Sequence, residues 1–259
     1  MRLQISNLCK DYATPVLRGL DLHVDAGAIH GIVGENGAGK TTLLKILSGL
    51  TSADAGTVLL DGEPLAAKNA KAAHRAGLSL CSQELSLIDN LSVAENICLR
   101  EMPGRLRLDR ATLDERCRDL LSIFQLDIAP DERVRNLNLA ERQMLELAKT
   151  LNSEARLLLL DEPTSALNDE QARALHAVLL ERAKNGVSIL YVSHRLNDVL
   201  ELCDHVWVLR DGKVVHNAPS KALAVAELIR HMSGKETLAQ RLTEAVSYTH
   251  LRAHETLLD

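Results

Sequence analysis

The chain has 259 residues, of which 46% are apolar, 25% charged and only 2% aromatic, and it carries a formal net charge of −5. That length and apolar content support a substantial packed core and exclude a disordered chain. The mild acidity and the absence of a long basic tract speak against nucleic acid as a partner, because phosphate backbones select clustered positive charge. The start, Met1-Arg2-Leu3-Gln4-Ile5, lacks the basic cluster and apolar stretch of a secretory leader. No run nears the roughly 18 apolar residues of a membrane span. The five cysteines, Cys9, Cys81, Cys98, Cys117 and Cys203, are scattered without a CxxC pair. Neither a disulfide framework nor a zinc site is expected, and the bounds together describe a cytosolic soluble protein.

In chain order, Leu3-Gln4-Ile5 and Leu20-Asp21-Leu22-His23-Val24 alternate as strands do, with a turn at Asp25-Ala26-Gly27. Ile29-His30-Gly31-Ile32-Val33 reads as a buried strand entering a glycine-rich segment. A helix follows at about 40–50, and Val58-Leu59-Leu60 and Leu78-Ser79-Leu80 read as further strands. From about 84 to 150 the pattern turns helical, with Leu113, Cys117, Leu120, Leu121 and Phe124 on one stripe. Three strand–helix alternations follow, with apolar strands at about 157–160, 187–192 and 206–209. The expected fold class is α/β, a parallel core with a mostly helical insertion.

Gly34-Glu35-Asn36-Gly37-Ala38-Gly39-Lys40-Thr41 matches GxxxxGK[ST] without a mismatch, and Thr42 extends it into the expected helix. It lies between an expected strand and an expected helix, the context a phosphate loop requires. Glycines let successive N–H groups curl around phosphate oxygens, and the helix adds its positive end. Lys40 can reach the β- and γ-phosphates of a bound nucleotide, and the Thr41 hydroxyl can ligate Mg²⁺. Leu157-Leu158-Leu159-Leu160-Asp161-Glu162 is an apolar strand ending in two carboxylates. Alone it is an ordinary strand end. Beside a phosphate loop, Asp161 would reach the metal and Glu162 would act as general base toward water.

With Leu137-Asn138-Leu139-Ala140-Glu141-Arg142-Gln143 before a helix expected near Met144, and with Val192-Ser193-His194, this set resembles the ATP-binding cassette (ABC) ATPases of membrane transporters. The resemblance covers roughly 1–236. It implies a P-loop NTPase core with a parallel sheet, an N-terminal antiparallel β subdomain and an inserted helical signature subdomain at about 84–150. It implies further that Tyr12 stacks on adenine, that Gln83 senses Mg²⁺ and water, and that His194 contacts the γ-phosphate. Ser165-Ala166-Leu167-Asn168 corresponds to the loop that crosses to a partner cassette, with Asn168 where Asp is usual. Asn138, Leu139, Ala140 and Glu141 correspond to the signature that caps ATP held by the opposite cassette. Here the sequence departs from Leu-Ser-Gly-Gly-Gln: the serine position holds Asn138 and the second glycine is Ala140.

Gln83-Glu84-Leu85-Ser86-Leu87, Asn90-Leu91-Ser92-Val93-Ala94-Glu95-Asn96-Ile97 and Gln143-Met144-Leu145-Glu146-Leu147-Ala148-Lys149 are similar to the first of two tandem cassettes in bacterial importers of sugars and sugar-like solutes. The same holds for Ser193-His194-Arg195-Leu196 and Arg210-Asp211-Gly212-Lys213. The resemblance implies ATP hydrolysis coupled to import, with ATP and Mg²⁺ bound. The implied partners are transmembrane permease subunits, a periplasmic solute-binding protein acting indirectly, and a second cassette in cis or a second copy of the chain. The implied place is the cytoplasmic face of the inner membrane, held peripherally. A soluble ABC ATPase of translation or DNA repair, a small-molecule phosphotransferase and a non-hydrolysing nucleotide-binding regulator are the other readings. On the leading one, 237–245 begins a linker to a second cassette that is missing. Val246-Ser-Tyr-Thr-His-Leu-Arg-Ala-His-Glu-Thr256 resembles the translation of a transposase adapter used in sequencing libraries. The stretch 246–259 is therefore expected to be a non-native tail, and its His250 and His254 are not expected to be a metal pair.

Overall fold

The computed structural model describes residues 2–98 and 110–234. The expected linker and tail, 237–259, and residues 235–236 of the expected cassette lie outside the described residues. In chain order the elements are β1 (Leu3–Asp11), β2 (Pro15–Val24), β3 (Ile29–Val33), α1 (Lys40–Leu47), β4 (Ala55–Leu60), β5 (Glu63–Pro64), α2 (Ala70–Arg75) and β6 (Leu78–Cys81). Then come α3 (Val93–Cys98), α4 (Arg110–Ser122), α5 (Leu139–Leu151), β7 (Leu157–Asp161), α6 (Asp169–Lys184), β8 (Ser188–Val192), α7 (Leu196–Leu202), β9 (His205–Arg210), β10 (Lys213–Pro219) and α8 (Val225–Ser233).

Two sheets result. The first, ordered β2-β1-β4-β5, is antiparallel throughout. The second is ordered β10-β9-β3-β8-β7-β6, parallel from β9 to β6, with β10 antiparallel at its edge. The unbroken leucines of β7 are explained by two apolar layers, one on each face. Leu157 and Leu159 pack with Leu22, Leu43, Leu47 and Trp207 beneath the antiparallel sheet. Leu158 and Leu160 face the other way, toward Leu145, Leu175 and Leu179. β8 divides likewise, Leu190 and Val192 on one side and Ile189 and Tyr191 on the other. Strand periodicity of two, applied to a sheet covered on both faces, makes every position apolar. Each leucine so buried contributes about 1.5–3 kcal/mol.

Helices α3, α4 and α5 form the inserted subdomain, joined to the second layer through Ile97, Cys117, Leu121 and Leu145. Several sequence boundaries move. The first helix ends at Leu47 rather than 50, where Gly49 adopts φ +71°. The helix expected near Met144 begins at Leu139, because Asn138 and Glu141 form a reciprocal cap five residues earlier. Phe124 is buried but lies past the end of α4. The third strand of the alternation, β9, is followed by a hairpin to β10 rather than by a helix. Asp211 and Gly212, both at positive φ, make that turn.

Two histidine groupings sit at joints of the fold. His216 and His231 stack 4.0 Å apart with rings 2° from parallel, beside Glu227. The stacked rings join β10 to α8. His30 is buried where β2, β3 and β9 meet, against the rings of His23, His205 and Trp207. The Trp207 indole N–H donates to its Nδ1 at 3.1 Å. Burial pushes the His30 pKa down to about 4; His205 and His23 add to that, and Asp25 and Asp204 oppose it. The folded state thus binds fewer protons than the unfolded state between about pH 6.5 and 4. The stabilisation is complete above pH 6.5 and is lost as pH falls toward 4. Melting temperatures measured from pH 7.5 to 4.5 should fall with acid in the wild type, and His30→Asn should flatten that slope while keeping an acceptor for Trp207.

Candidate active site

Parallel strands deliver their carboxyl ends to one edge of a sheet, and the turns beyond that edge carry this site. Asp161 pairs with Val192, and Val192 with Ile32. The turns after β3, β7 and β8 therefore open side by side. The first runs from Gly34 to the start of α1, where Gly39 adopts φ +103° at the helix N-cap. A Cβ on Gly39 would stand 2.6 Å from the Leu17 side chain and 3.1 Å from the Val16 carbonyl. On Gly34 it would collide with the Leu209 carbonyl of β9. Glycine is required at both for close backbone approach.

Lys40 folds back over this loop, its ammonium donating to the carbonyls of Gly34 at 2.7 Å and Glu35 at 3.0 Å. Burial lowers its pKa, while the Glu162 and Asp161 carboxylates push it up again. The Thr41 hydroxyl donates to Asp161 Oδ2 at 3.0 Å. The Asp161 carboxyl is itself buried, and burial raises its pKa against the opposing effect of that hydrogen bond. A hydroxyl and a desolvated carboxylate side by side are oxygen donors suited to a hard divalent cation.

Glu162 takes the left-handed conformation, φ 54°, immediately before Pro163. For a residue with a side chain this costs about 1–2 kcal/mol. Its N–H donates to the Val192 carbonyl at 2.9 Å, which holds the turn against β8. The result is a carboxylate, 10% exposed, whose Oε2 lies 2.6 Å from His194 Nδ1 and 3.3 Å from the His194 N–H. His194 is 68% exposed, so one side of this pair faces solvent. The pair has the form of a base and its orienting imidazole.

A cleft of about 490 Å³ gathers most of the expected residues: Asn36, Gly37, Gly39, Lys40, Thr41, Thr42, Gln83, Asp161 and Glu162. Val16 of β2 also lines it. Sequence reasoning missed Val16, since a lone valine in a strand carries no signal. Tyr12, in the turn between β1 and β2, is 56% exposed and does not line the cleft, and its ring lies 5.4 Å from the Lys10 ammonium. Asn138, Leu139, Ala140 and Glu141 also stand apart from it, at the start of α5. The Asn138 side-chain oxygen accepts from the Glu141 N–H at 3.0 Å, and Glu141 Oε2 accepts from the Asn138 N–H at 2.8 Å. Leu139 between them is 66% exposed. Asn168 likewise caps α6, accepting from Gln171. Cys81, Cys117 and Cys203 are buried free thiols whose pKa burial pushes up, so they stay protonated.

Known proteins resemble this chain in sequence and in fold. The family model described as ABC transporter matches residues 17–165. The arabinose import ATP-binding protein AraG of Rhizobium johnstonii is 40% identical over 237 residues, 90% of this chain and 47% of that protein. The ribose import ATP-binding protein RbsA 1 of Rubrobacter xylanophilus is 40% identical over 232 residues, 88% of this chain and 46% of that one. The chain thus spans about half the length of the curated relatives it matches. Among solved structures, the ATP-binding subunit of an ABC transporter superposes with a TM-score of 0.79 at 24% identity, covering 90% of this chain and all of that one. A dimeric ATP-binding cassette in a post-hydrolysis state with ADP and Pi gives 0.76 at 21% identity, over 84% and 98% of the two chains. The folds agree, and the family model matches more than half of the sequence. The chain belongs to the ABC transporter family.

Proposed function

We propose that this chain is an ATP-binding and ATP-hydrolysing cassette, the first of two in its parent protein, that powers a membrane importer of a sugar or sugar-like solute. The observation that carries the ATPase reading is the convergence of Lys40, the Thr41–Asp161 pair and Glu162 on one cleft. The import reading rests on likeness to arabinose and ribose import proteins.

In this reading the loop N–H groups and Lys40 hold the phosphates of ATP, and Tyr12 stacks on adenine once the turn that bears it closes over the base. Thr41, Asp161 and Gln83 would hold Mg²⁺, which when bound neutralises charge on the terminal phosphates. Glu162 takes a proton from the attacking water. His194 orients that carboxylate through its Nδ1 and presents its exposed edge to the γ-phosphate. Ser165-Ala166-Leu167-Asn168 and the Asn138–Glu141 turn would face a second cassette, in cis or in a second copy of the chain. Permease subunits would tether the assembly to the cytoplasmic face of the inner membrane, and a periplasmic solute-binding protein would act through them. Among the described residues no helix is long and apolar enough to cross a membrane.

Calorimetry should show ATP bound by the wild type and by Glu162→Gln but not by Lys40→Ala. Turnover should be lost in both variants. Equal ATP affinity in Lys40→Ala and wild type would sink the phosphate-loop reading. Cargo class is tested by ATP-driven uptake of labelled pentoses and hexoses in vesicles carrying the parent protein with its permease.

The signature generates a second expectation. With Asn138 committed to its own helix and Ala140 replacing a glycine, this turn is a well-capped helix start but a poor donor surface for a partner's γ-phosphate. We infer a division of labour, in which this cassette supplies the hydrolytic groups and the absent one supplies the better signature. Loss of one aligned donor costs on the order of 10²–10³ in rate. Asn138→Ser with Ala140→Gly keeps a good N-cap. It should raise ATPase activity of the isolated chain at least tenfold at concentrations that favour pairing. An isolated chain already as fast as its parent protein would contradict the asymmetry.

A further inference from the structure

Inside the helical subdomain lies a buried ion pair that the nucleotide site does not account for. Glu146 and Lys149, one turn apart on α5, are 3% and 4% exposed, with Lys149 Nζ 3.4 Å from Glu146 Oε1. Both close on Ser86, in the loop that follows Gln83. Glu146 accepts the Ser86 N–H at 3.1 Å and the Ser86 hydroxyl at 2.6 Å. Lys149 donates to the Ser86 carbonyl at 3.0 Å and to its hydroxyl oxygen at 2.8 Å. Every polar group of Ser86 is engaged. Two residues on, the Ile88 N–H and carbonyl are both bound by the buried side chain of Asn96 in α3, at 2.8 and 3.1 Å.

The chain is therefore bolted to the helical subdomain from residue 86 onward. On its other side it leaves the parallel sheet at Cys81, the last residue of β6. Only residues 82–85 lie between the two attachments, and Gln83, which lines the cleft, is one of them. A small cavity of about 30 Å³ is bounded by Gln83, Glu146, Asp161 and Glu162, so the bolt stands close behind the candidate catalytic groups. Desolvation makes an ion pair a poor way to gain stability; an apolar pair would hold α5 equally well. What the charged pair provides is a directional grip on one residue of an otherwise irregular loop.

We propose that Ser86, Glu146 and Lys149 are positioning residues that lock the loop after Gln83 to the helix carrying Asn138–Glu141, so that movement of the signature helix is delivered to Gln83 through residues 82–85. The inference rests on the ATPase reading above and concerns how its site is assembled. Closure of the helical subdomain onto a partner cassette would then set Gln83 in the cleft. Opening would withdraw it. Misplacement of such a group by about 1 Å lowers a chemical step by up to 10², whereas the phosphate loop is held by β3 and α1, and α1 meets the loop at 82–85 through the exposed Lys45–Glu84 pair at 3.3 Å.

Three proteins test this: wild type, Ser86→Ala, and the double variant Glu146→Gln/Lys149→Gln, which removes both charges together and leaves neither unpaired. Each is made with and without Gln83→Ala, and kcat and KM for ATP are measured alongside Tm. The expected result is a kcat about tenfold lower, with KM within twofold of wild type. In the Gln83→Ala background the same changes should add less than a twofold loss. An unchanged kcat in a folded variant overturns the proposal. So does a full multiplicative loss on top of Gln83→Ala, which would mark a general structural role. Hydrogen exchange gives a readout independent of turnover. On adding ATP to wild type, amides 82–88 and 139–143 should change protection together, and in the double variant they should change separately. If they still change together in the double variant, the linkage is refuted even where hydrolysis is too slow to follow. Failure of the wild type to turn over ATP at all would count against the ATPase reading alone.

Discussion

The hydrogen bond from the Thr41 hydroxyl to the Asp161 carboxylate joins residues 120 positions apart in sequence. Thr41 belongs to the first turn of α1 and Asp161 ends β7, so the bond requires β3, β8 and β7 to lie in order with their carboxyl ends aligned. The two apolar layers enforce that order, since sliding β7 by one residue would exchange the leucines of its two faces. The burial that makes β7 a continuous leucine strand also leaves Asp161 with little water. A carboxylate so placed needs a hydrogen bond and a cation, and the loop that holds Lys40 and Thr41 faces it. The rest of the cleft follows from this arrangement. Glu162 in its left-handed turn, His194 at the end of β8, and Gln83 beyond β6 are all carried by strands of the same sheet.

Most of this was legible in the sequence because it is written in local patterns. The glycine spacing before Lys40, the leucine run before Asp161 and the strand before His194 each specify a backbone conformation within a few residues. The start of α5 was misjudged because Asn138 and Ala140 read as departures from a signature, while physically Asn138 and Glu141 form a capping box. The β10 strand was missed because its exposed edge alternates weakly, and only the Asp211-Gly212 turn signals it. Val16, and the grip of Glu146 and Lys149 on Ser86, depend on contacts between distant segments. Their one sequence trace is a Glu–Lys pair three apart on a helix, indistinguishable from a solvated surface pair until its burial is known.

A cassette of this kind is chemically lopsided on its own. On the proposed function its cleft would collect groups for phosphate, cation and water, yet the turn at 138–141 lies apart from that cleft and carries an exposed leucine. The charged bolt at Ser86 gives that turn a mechanical route back to Gln83. On the proposed reading, binding of a partner at one end of α5 and the placement of Gln83 would become one event. On this account the marginal signature affects the partner's site directly and this chain's own site only through the loop at 82–85.

The central claim is that Asp161, desolvated and paired with Thr41, is there to share a divalent cation with bound ATP. Calorimetric titration of ATP into wild type and Asp161→Asn, each with Mg²⁺ present and with Mg²⁺ removed by a chelator, tests it most directly. Asparagine keeps an acceptor for the Thr41 hydroxyl and removes only the charge. The account predicts that removing Mg²⁺ weakens ATP binding to the wild type by about tenfold or more, a cost of about 1.4 kcal/mol per decade, and leaves the affinity of Asp161→Asn nearly unchanged. Equal dependence on Mg²⁺ in the two proteins would contradict it.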